Sequence, residues 1–329
     1  MNISVRPPVT ALPLIAAAFT LVVWSSAFAA ISYGLQAFAP AELALLRFLV
    51  ASLVFALPVA FGLIKLPPRR DWPAVVVLSL LGMTVYQLSL GYAMTRVPAG
   101  SAAVIVSLAP GVTAALAALR LGESLGRRIL IGLAVAFAGA LLVTLGSGRT
   151  IRFEPMALLV LVSVLVTSIY FVGQKPLLQR TTPLGFTAAS IFVGTLGLLP
   201  FGLHLPEKLA LASTPQIASA IWLGLGPTIL GYIAWSFALS RAPVSVVSSF
   251  LYGQPLLAGL IAWLWLGQTM GSLAILGGAL TLVGVALTVR GARKPAVVPV
   301  ATPVVAAPAL SKLCNACVAL WHGAQVQIR

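Results

Sequence analysis

Ten apolar runs, joined by connections too short to fold on their own, lie at roughly 12–33, 41–63, 73–94, 98–119, 129–147, 156–176, 184–203, 215–238, 243–266 and 271–289. About 20 such residues cross a bilayer as a helix, whereas a membrane strand needs only about 9–11. Lipid offers the backbone no hydrogen-bond partner, so runs of this length resolve to helices. Of the 329 residues 60% are hydrophobic and 8% charged, against about 25% charged in soluble domains. The expected fold is an all-α polytopic membrane protein of ten transmembrane helices.

The fourth and ninth runs repeat one pattern. Arg96, Pro98, Pro110 and Gly122 match Arg241, Pro243, Pro255 and Gly267 at a single offset of 145 residues. The register continues as Gly132, Gly139 and Gly146 with Gly277, Gly284 and Gly291. Glycine permits close backbone approach and proline removes an N–H, so neighbours replace them poorly. Their coincidence marks a duplication, in which a helix starts after one proline, is broken by a second and ends at a glycine.

The formal charge is +15, yet the basic residues sit singly or in pairs between apolar runs, as topology signals rather than a nucleic-acid surface. With the N-terminus inside, Arg6, Lys65, Arg69, Arg70, Arg120, Arg127, Arg128, Lys175, Arg180, Arg241, Arg290, Arg293 and Lys294 collect on the inner side. The outer side receives Arg96, Arg149, Arg152 and Lys208. The positive-inside rule therefore places both termini in the cytoplasm. Five helices per copy is an odd number, so the second copy enters from the opposite face as an inverted repeat. The expected division is a cytosolic N-terminus over 1–10, a first repeat over 11–147, a second over 156–290, and a disordered cytosolic tail over 291–329. A cleavable leader ending at Ala27-Phe28-Ala29 is the rival reading of the start; it would leave nine spans and the wrong charge bias. Cys314 and Cys317 are the two cysteines. With His322 they make a fragment of metal-ligand spacing that lacks a fourth ligand, and neither a metal nor a cofactor is expected.

Trp24-Ser25-Ser26-Ala27-Phe28, Pro40 with Leu46-Arg47-Phe48, Tyr92-Ala93-Met94 leading to Pro98-Ala99-Gly100, Pro110 and Leu121-Gly122-Glu123 form an ordered set in the first half. Phe237-Ala238-Leu239, Pro243, Pro255 and Leu266-Gly267-Gln268 repeat it in the second. Over residues 11–290 this set resembles the EamA-type members of the drug/metabolite transporter superfamily. The resemblance implies a carrier of small metabolites in the plasma (inner) membrane, moving amino acids, their analogues or other polar compounds, with export favoured. Gln268 stands where such families commonly carry the glutamate present here as Glu123.

Inverted-repeat carriers bind substrate near the midplane, where broken helices free backbone groups. Pro110 and Pro255 mark that depth. At 100° per residue Ser245, Ser248, Ser249, Tyr252 and Pro255 share one face of helix 9. Gly100, Ala103, Val104, Ser107 and Pro110 form the matching face of helix 4. Such a stripe either packs closely against another helix or lines a wet cavity; the bulk of Tyr252 favours the cavity. Trp24, Tyr86, Gln87, Tyr170, Phe171, Tyr232, Trp235 and Gln254 supply further aromatic and amide groups for a substrate, and Tyr232 and Trp235, three apart, share a face.

Arg47 is the charge deepest within a run. Counted from Pro40 at about 1.5 Å per residue it lies roughly 10 Å below the outer boundary. Facing lipid it costs about 2.5–3.5 kcal/mol, so it is expected to face the bundle interior and bond backbone carbonyls or a substrate carboxylate. The five acids, Glu42, Asp71, Glu123, Glu154 and Glu207, fall at helix ends or in joins. A buried-acid proton relay is therefore not expected, and coupling is left to Glu42 or Glu123 at a cavity mouth. No run offers a nucleophile with a base, which disfavours an intramembrane enzyme; short joins leave a scaffold or sensor subunit little surface for partners. The expected partners are a small-molecule substrate and the bilayer.

Overall fold

The computed structural model describes residues 4–5, 10–97, 99–146, 154–266, 271–292 and 297–298. The tail with Cys314, Cys317 and His322 lies outside the described residues, as do Pro98, Gly267 and Gln268 and the side chains of Phe28, Trp263 and Trp265. Two units are distinguished. In the smaller, Ser4–Val5 pairs antiparallel with Val297–Val298. The larger, from Pro8 to Lys294, is the helical bundle.

Among the described residues, ten helices in the bundle are long and apolar enough to cross a membrane. They are α1 (Ala11–Gly34), α2 (Pro40–Ala60), α3 (Arg69–Ala93), α4 (Ala99–Val106 and Ala109–Leu121), α5 (Arg127–Gly146), α6 (Ala157–Leu177), α7 (Pro183–Phe201), α8 (Thr214–Arg241), α9 (Val244–Ser249, Phe250–Gly253 and Gln254–Leu266) and α10 (Ser272–Ala292). Proline opens α2 and α7, where its missing N–H is no loss. Thr182 Oγ1 accepts the Gly185 N–H at 3.0 Å to cap α7, and Gly122 ends α4 with φ +62°, a conformation that favours glycine.

Both broken helices are interrupted just before their second proline. In α4 the helical ladder lapses at Ser107 and Leu108 and resumes at Ala109, with Pro110 in the new first turn. In α9 the turn Phe250–Gly253 tightens to 3-10 geometry before Gln254 and Pro255 resume the α-helix. A second pair of irregularities carries no matched sequence mark. Leu80–Val85 in α3 and Gly224–Gly231 in α8 are wound as π-helix, which widens the turn and shifts side chains around the axis.

Packing between the halves is reciprocal. Helix α1 lies against α8 and α9, and α6 lies against α3 and α4; α2 meets α8 as α7 meets α3; α2 meets α7, α4 meets α9 and α5 meets α10. The α5–α10 pair is the most extensive, and its seam is built on the glycines of the repeat. A Cβ on Gly139 would lie 2.4 Å from the Thr281 nitrogen, one on Gly132 2.6 Å from the Thr288 nitrogen, and one on Gly146 2.4 Å from the Ala274 nitrogen. Partner numbers fall as seam numbers rise, so the two helices run antiparallel. Residues seven apart return to nearly the same face, which explains the spacing. The largest apolar core lies elsewhere, among α1, α2, α3, α6, α7 and α8, around Phe48, Met83, Tyr170, Phe186 and Trp235.

Charged groups tie the two ends of the bundle. At one end Arg180 pairs with Asp71 at 3.0 Å, and Lys175 donates to the carbonyls of Leu239 and Ala242. At the other, Glu42 accepts from Lys208 at 2.6 Å and from the Ala39 N–H at 2.7 Å.

Candidate functional site

A cavity lies where the two interrupted helices meet. Val106 and Ala109 line it from the break in α4, and Leu251 and Gln254 from the break in α9. The second pair stands 145 residues after the first, which is the repeat offset. The enclosure is thus made by equivalent positions of both copies, at the residues flanking the interruptions. Trp24 of α1, Tyr86 of α3 and Phe171 of α6 form the aromatic wall, and Ser163 and Thr167 of α6 add hydroxyl-bearing residues to the lining. Its volume is about 50 Å³. One water needs about 10–15 Å³ and a small-molecule pocket about 300–1,000 Å³. In this conformation the site is contracted around a few waters' worth of space.

The wall continues into a dense aromatic cluster. Trp24 stacks on Phe171 at 6.2 Å between centroids and meets Tyr232 at 5.2 Å and Trp235 at 5.1 Å. Phe171 and Trp235 lie 4.7 Å apart, and Tyr170 packs edge-on to Tyr232 at 6.5 Å. The position of Trp24 is set by the π-segment of α8. Its Nε1–H donates to Pro227 O at 3.0 Å, and Gly231 leaves room for the indole, since a Cβ there would sit 2.4 Å from Nε1. Likewise a Cβ on Gly82, in the π-segment of α3, would collide with the Tyr170 ring at 2.3 Å. Glycines within the irregular turns are therefore what let large rings from α1 and α6 approach α8 and α3.

Arg47 is 8% exposed and turned inward. Its Nε–H donates to Thr228 Oγ1 at 2.9 Å, and Thr228 in turn donates to Leu223 O, five residues back, at 2.8 Å. That back-bond is one a π-turn provides. The sequence reading expected carbonyls or an anion as partners; the partner found is a hydroxyl. No carboxylate pairs with Arg47 among the described residues. Its electrostatic neighbours are Tyr232 and the cavity residue Tyr86. Among the side chains of the described residues, Gln174 Nε2 and Trp235 Nε1 are the fully buried nitrogens without a hydrogen-bond partner. The Arg47 Nη atoms carry no hydrogen bond among the described residues.

Of the residues expected at a site, Trp24, Tyr86 and Gln254 line the cavity, while Tyr170, Tyr232 and Trp235 pack behind its wall and Arg47 neighbours Tyr86 and Tyr232. Pro110 and Pro255 adjoin it through Ala109 and Gln254. The hydroxyl stripe of α9 is placed differently from the cavity expected of it. Ser248 is fully buried and donates to Ser245 O at 3.3 Å. Tyr252 packs with Ala114, Ile129, Leu133 and Ala136, its ring 6.2 Å from Phe137 and its hydroxyl beside Gly111. Small residues on α4 make that slot, so here bulk fills a helix interface. Ser107 donates to Ala103 O at 2.7 Å at the lapse in α4, and Gln87, half-buried, lies off the cavity wall. Phe171, an aromatic candidate of the sequence, lines the cavity too, whereas Ser163 and Thr167 were missed. Their period-3.6 spacing along one face of α6 was the available signal.

Two acids expected at a cavity mouth have other employment. Glu42 caps α2 and pairs with Lys208. Glu123 is 7% exposed and accepts the Val244 N–H, the Ser245 N–H and the Ser245 hydroxyl at the start of α9.

The EamA-like transporter family matches this sequence twice, over residues 11–145 and 154–290. The chain belongs to the EamA-like transporter family. It is a multi-pass membrane transporter of the drug/metabolite transporter superfamily, not an enzyme, and acts on a small-molecule substrate. Over 283 residues it is 35% identical to a protein of Streptantibioticus cattleyicolor named "probable terminal-alkyne amino-acid exporter", covering 85% of this chain and 95% of that one. It is 34% identical over 265 residues to the uncharacterized transporter YdfC of Bacillus subtilis, covering 80% and 87%. A Salmonella typhimurium protein named "probable amino-acid metabolite efflux pump" is 26% identical over 292 residues, covering 84% and 94%. A solved crystal structure shares the fold, with a TM-score of 0.70 at 20% identity over 85% of this chain and 97% of that one.

Proposed function

We propose that this transporter exports small amino-acid-type metabolites by alternating access, through the cavity between two inverted repeats, with both termini cytoplasmic. The observation that carries the reading is the lining of one cavity by register-equivalent residues, Val106 with Leu251 and Ala109 with Gln254, at the breaks of paired helices. Inversion is supported by the α5–α10 seam. Gly132 packs on Gly284, and the equivalent Gly277 packs on Gly139. Exchanging the copies thus exchanges two antiparallel helices, which requires an axis across the helices rather than along them. The charge bias of the joins supports cytoplasmic termini.

For the substrate, Arg47 offers a fork of donors that suits a carboxylate. The ring cluster of Trp24, Phe171 and Tyr232 offers an apolar wall for a side chain. The names of the Streptantibioticus and Salmonella relatives agree with that chemistry. The contracted cavity is then one stage of a cycle in which breaks at α4 and α9 let helix halves move separately. The test is substrate-dependent counterflow in liposomes holding the purified protein, against a panel of amino acids and unsaturated analogues. Saturable flux is expected for at least one carboxylate-bearing compound. Folded protein with no flux across the panel contradicts the reading.

A further inference from the structure

The Glu123 carboxylate leaves the join after α4 and reaches the start of α9, more than a hundred residues later in the chain. Its Oε1 accepts the Val244 N–H at 2.6 Å; its Oε2 accepts the Ser245 N–H at 3.1 Å and the Ser245 hydroxyl at 2.7 Å. Three donors on one buried carboxylate make charge-assisted bonds of the stronger kind. Lys175, from the end of α6, grips the same connection from the other side through Leu239 O and Ala242 O. The α8–α9 turn is therefore held by an anion from the first copy and a cation from the second.

Between this end of the bundle and the cavity the packing is closed. Ala117, Ala238, Leu239, Ser248 and Ser249 are all fully buried. The cavity begins at Leu251, about 10 Å along α9 from Val244 at about 1.5 Å per residue, and continues to Gln254. A carrier must open this end in part of its cycle, and α9 cannot leave α4 while Glu123 holds its first two amides. Unlike the glycine seam, whose loss exposes backbone to a close steric partner, this contact is exchangeable. Water can replace each donor when the end opens, so desolvation is refunded there.

We propose that Glu123 is the latch of the cytoplasmic gate, holding α9 against α4 in the state described and releasing it when the cavity turns inward. The proposal rests on the alternating-access reading. At the register-equivalent place in the sequence of the second copy stands the neutral Gln268, so the charge that fastens this gate has no charged counterpart there. The pair sets the resting bias toward a closed cytoplasmic end.

The test uses the full chain with Cys314→Ser and Cys317→Ser, carrying Ala109→Cys in the cavity wall and reconstituted in one orientation. A membrane-impermeant maleimide is applied from each side in turn. With Glu123 present, labelling comes predominantly from the side opposite Glu123. Glu123→Ala raises labelling from the Glu123 side about tenfold or more, the loss of charge-assisted bonds setting that scale; Glu123→Asp restores most of the bias. Gln268→Glu, which leaves the latch intact, shifts the ratio in the same direction as Glu123→Ala by strengthening the opposite gate. An unchanged side ratio in folded Glu123→Ala overturns the proposal, as does an unchanged ratio in Gln268→Glu should the alanine variant fail to fold. Labelling reads the latch without any substrate, so absent flux in the parent protein counts against the transport reading alone.

Discussion

Arg47→Met is expected to abolish saturable flux of carboxylate substrates while leaving the protein folded, with a melting temperature unchanged or raised. Losing the partner of a buried, hydrogen-bonded charge costs about 2–5 kcal/mol, at least about thirtyfold in affinity. The fold, by contrast, loses an inward charge that has Thr228 Oγ1 as its side-chain partner and no carboxylate among the described residues. Replacing such a charge by an apolar group of similar volume is often neutral or stabilising. The opposed signs separate substrate contact from anchoring. If Arg47 only anchors α2 to α8, melting falls and surviving protein transports normally. Arg47→Lys keeps the charge but not the planar fork, so its flux is expected between the two, with affinity lowered about tenfold. An amide analogue lacking the carboxylate is the control, and its residual transport should be insensitive to both substitutions.

The second large effect is on folding. Gly139→Leu is expected to yield no monodisperse protein, because the obstructing atoms are the Thr281 nitrogen and the Gly277 carbonyl oxygen, at 2.4 and 2.6 Å from a Cβ. Overpacking a side-chain core costs about 1–3 kcal/mol because neighbours shift; backbone on the facing helix has no rotamer to change, so α5 and α10 must separate. Gly126→Ala, where nothing lies within 4 Å of the added carbon, is expected to behave as the parent. Size-exclusion profiles of the two in detergent decide the matter. A stable Gly139→Leu transporter would mean that the seam is not what joins the halves.

Much of this architecture could be read from residues alone, for identifiable reasons. Span length and the glycine and proline register are local properties, so ten helices, the breaks at Pro110 and Pro255, and the importance of Gly132, Gly139, Gly277 and Gly284 followed from spacing. The π-segments did not. Leu80–Val85 contains no proline, and its irregularity answers to packing, with Gly82 yielding to Tyr170 from α6. Glu123 was legible as a helix exit, but its partners Val244 and Ser245 lie too far along the chain for any local pattern to join them. Tyr252 misled because a bulky residue in a stripe of serines suits a cavity wall and a complementary slot equally well. The slot is made by Ala114 and Gly111 of the other copy, and only tertiary structure brings those residues together. At the site itself, Trp24, Phe171 and Gln254 were reachable from residue type, whereas Ser163 and Thr167 carried no mark in the sequence that set them apart from other helical hydroxyls until the fold placed them on the cavity lining.

The most direct measurement of the central claim is substrate protection at the two helix breaks. Ala109→Cys and Gln254→Cys, each in a chain lacking Cys314 and Cys317, are labelled with maleimide over a range of concentrations of a transported compound. The account predicts that both cysteines are protected, with the same half-maximal concentration as each other and as transport. Protection of one alone, or of neither while flux persists, would mean that substrate passes elsewhere and that the paired breaks do not enclose it.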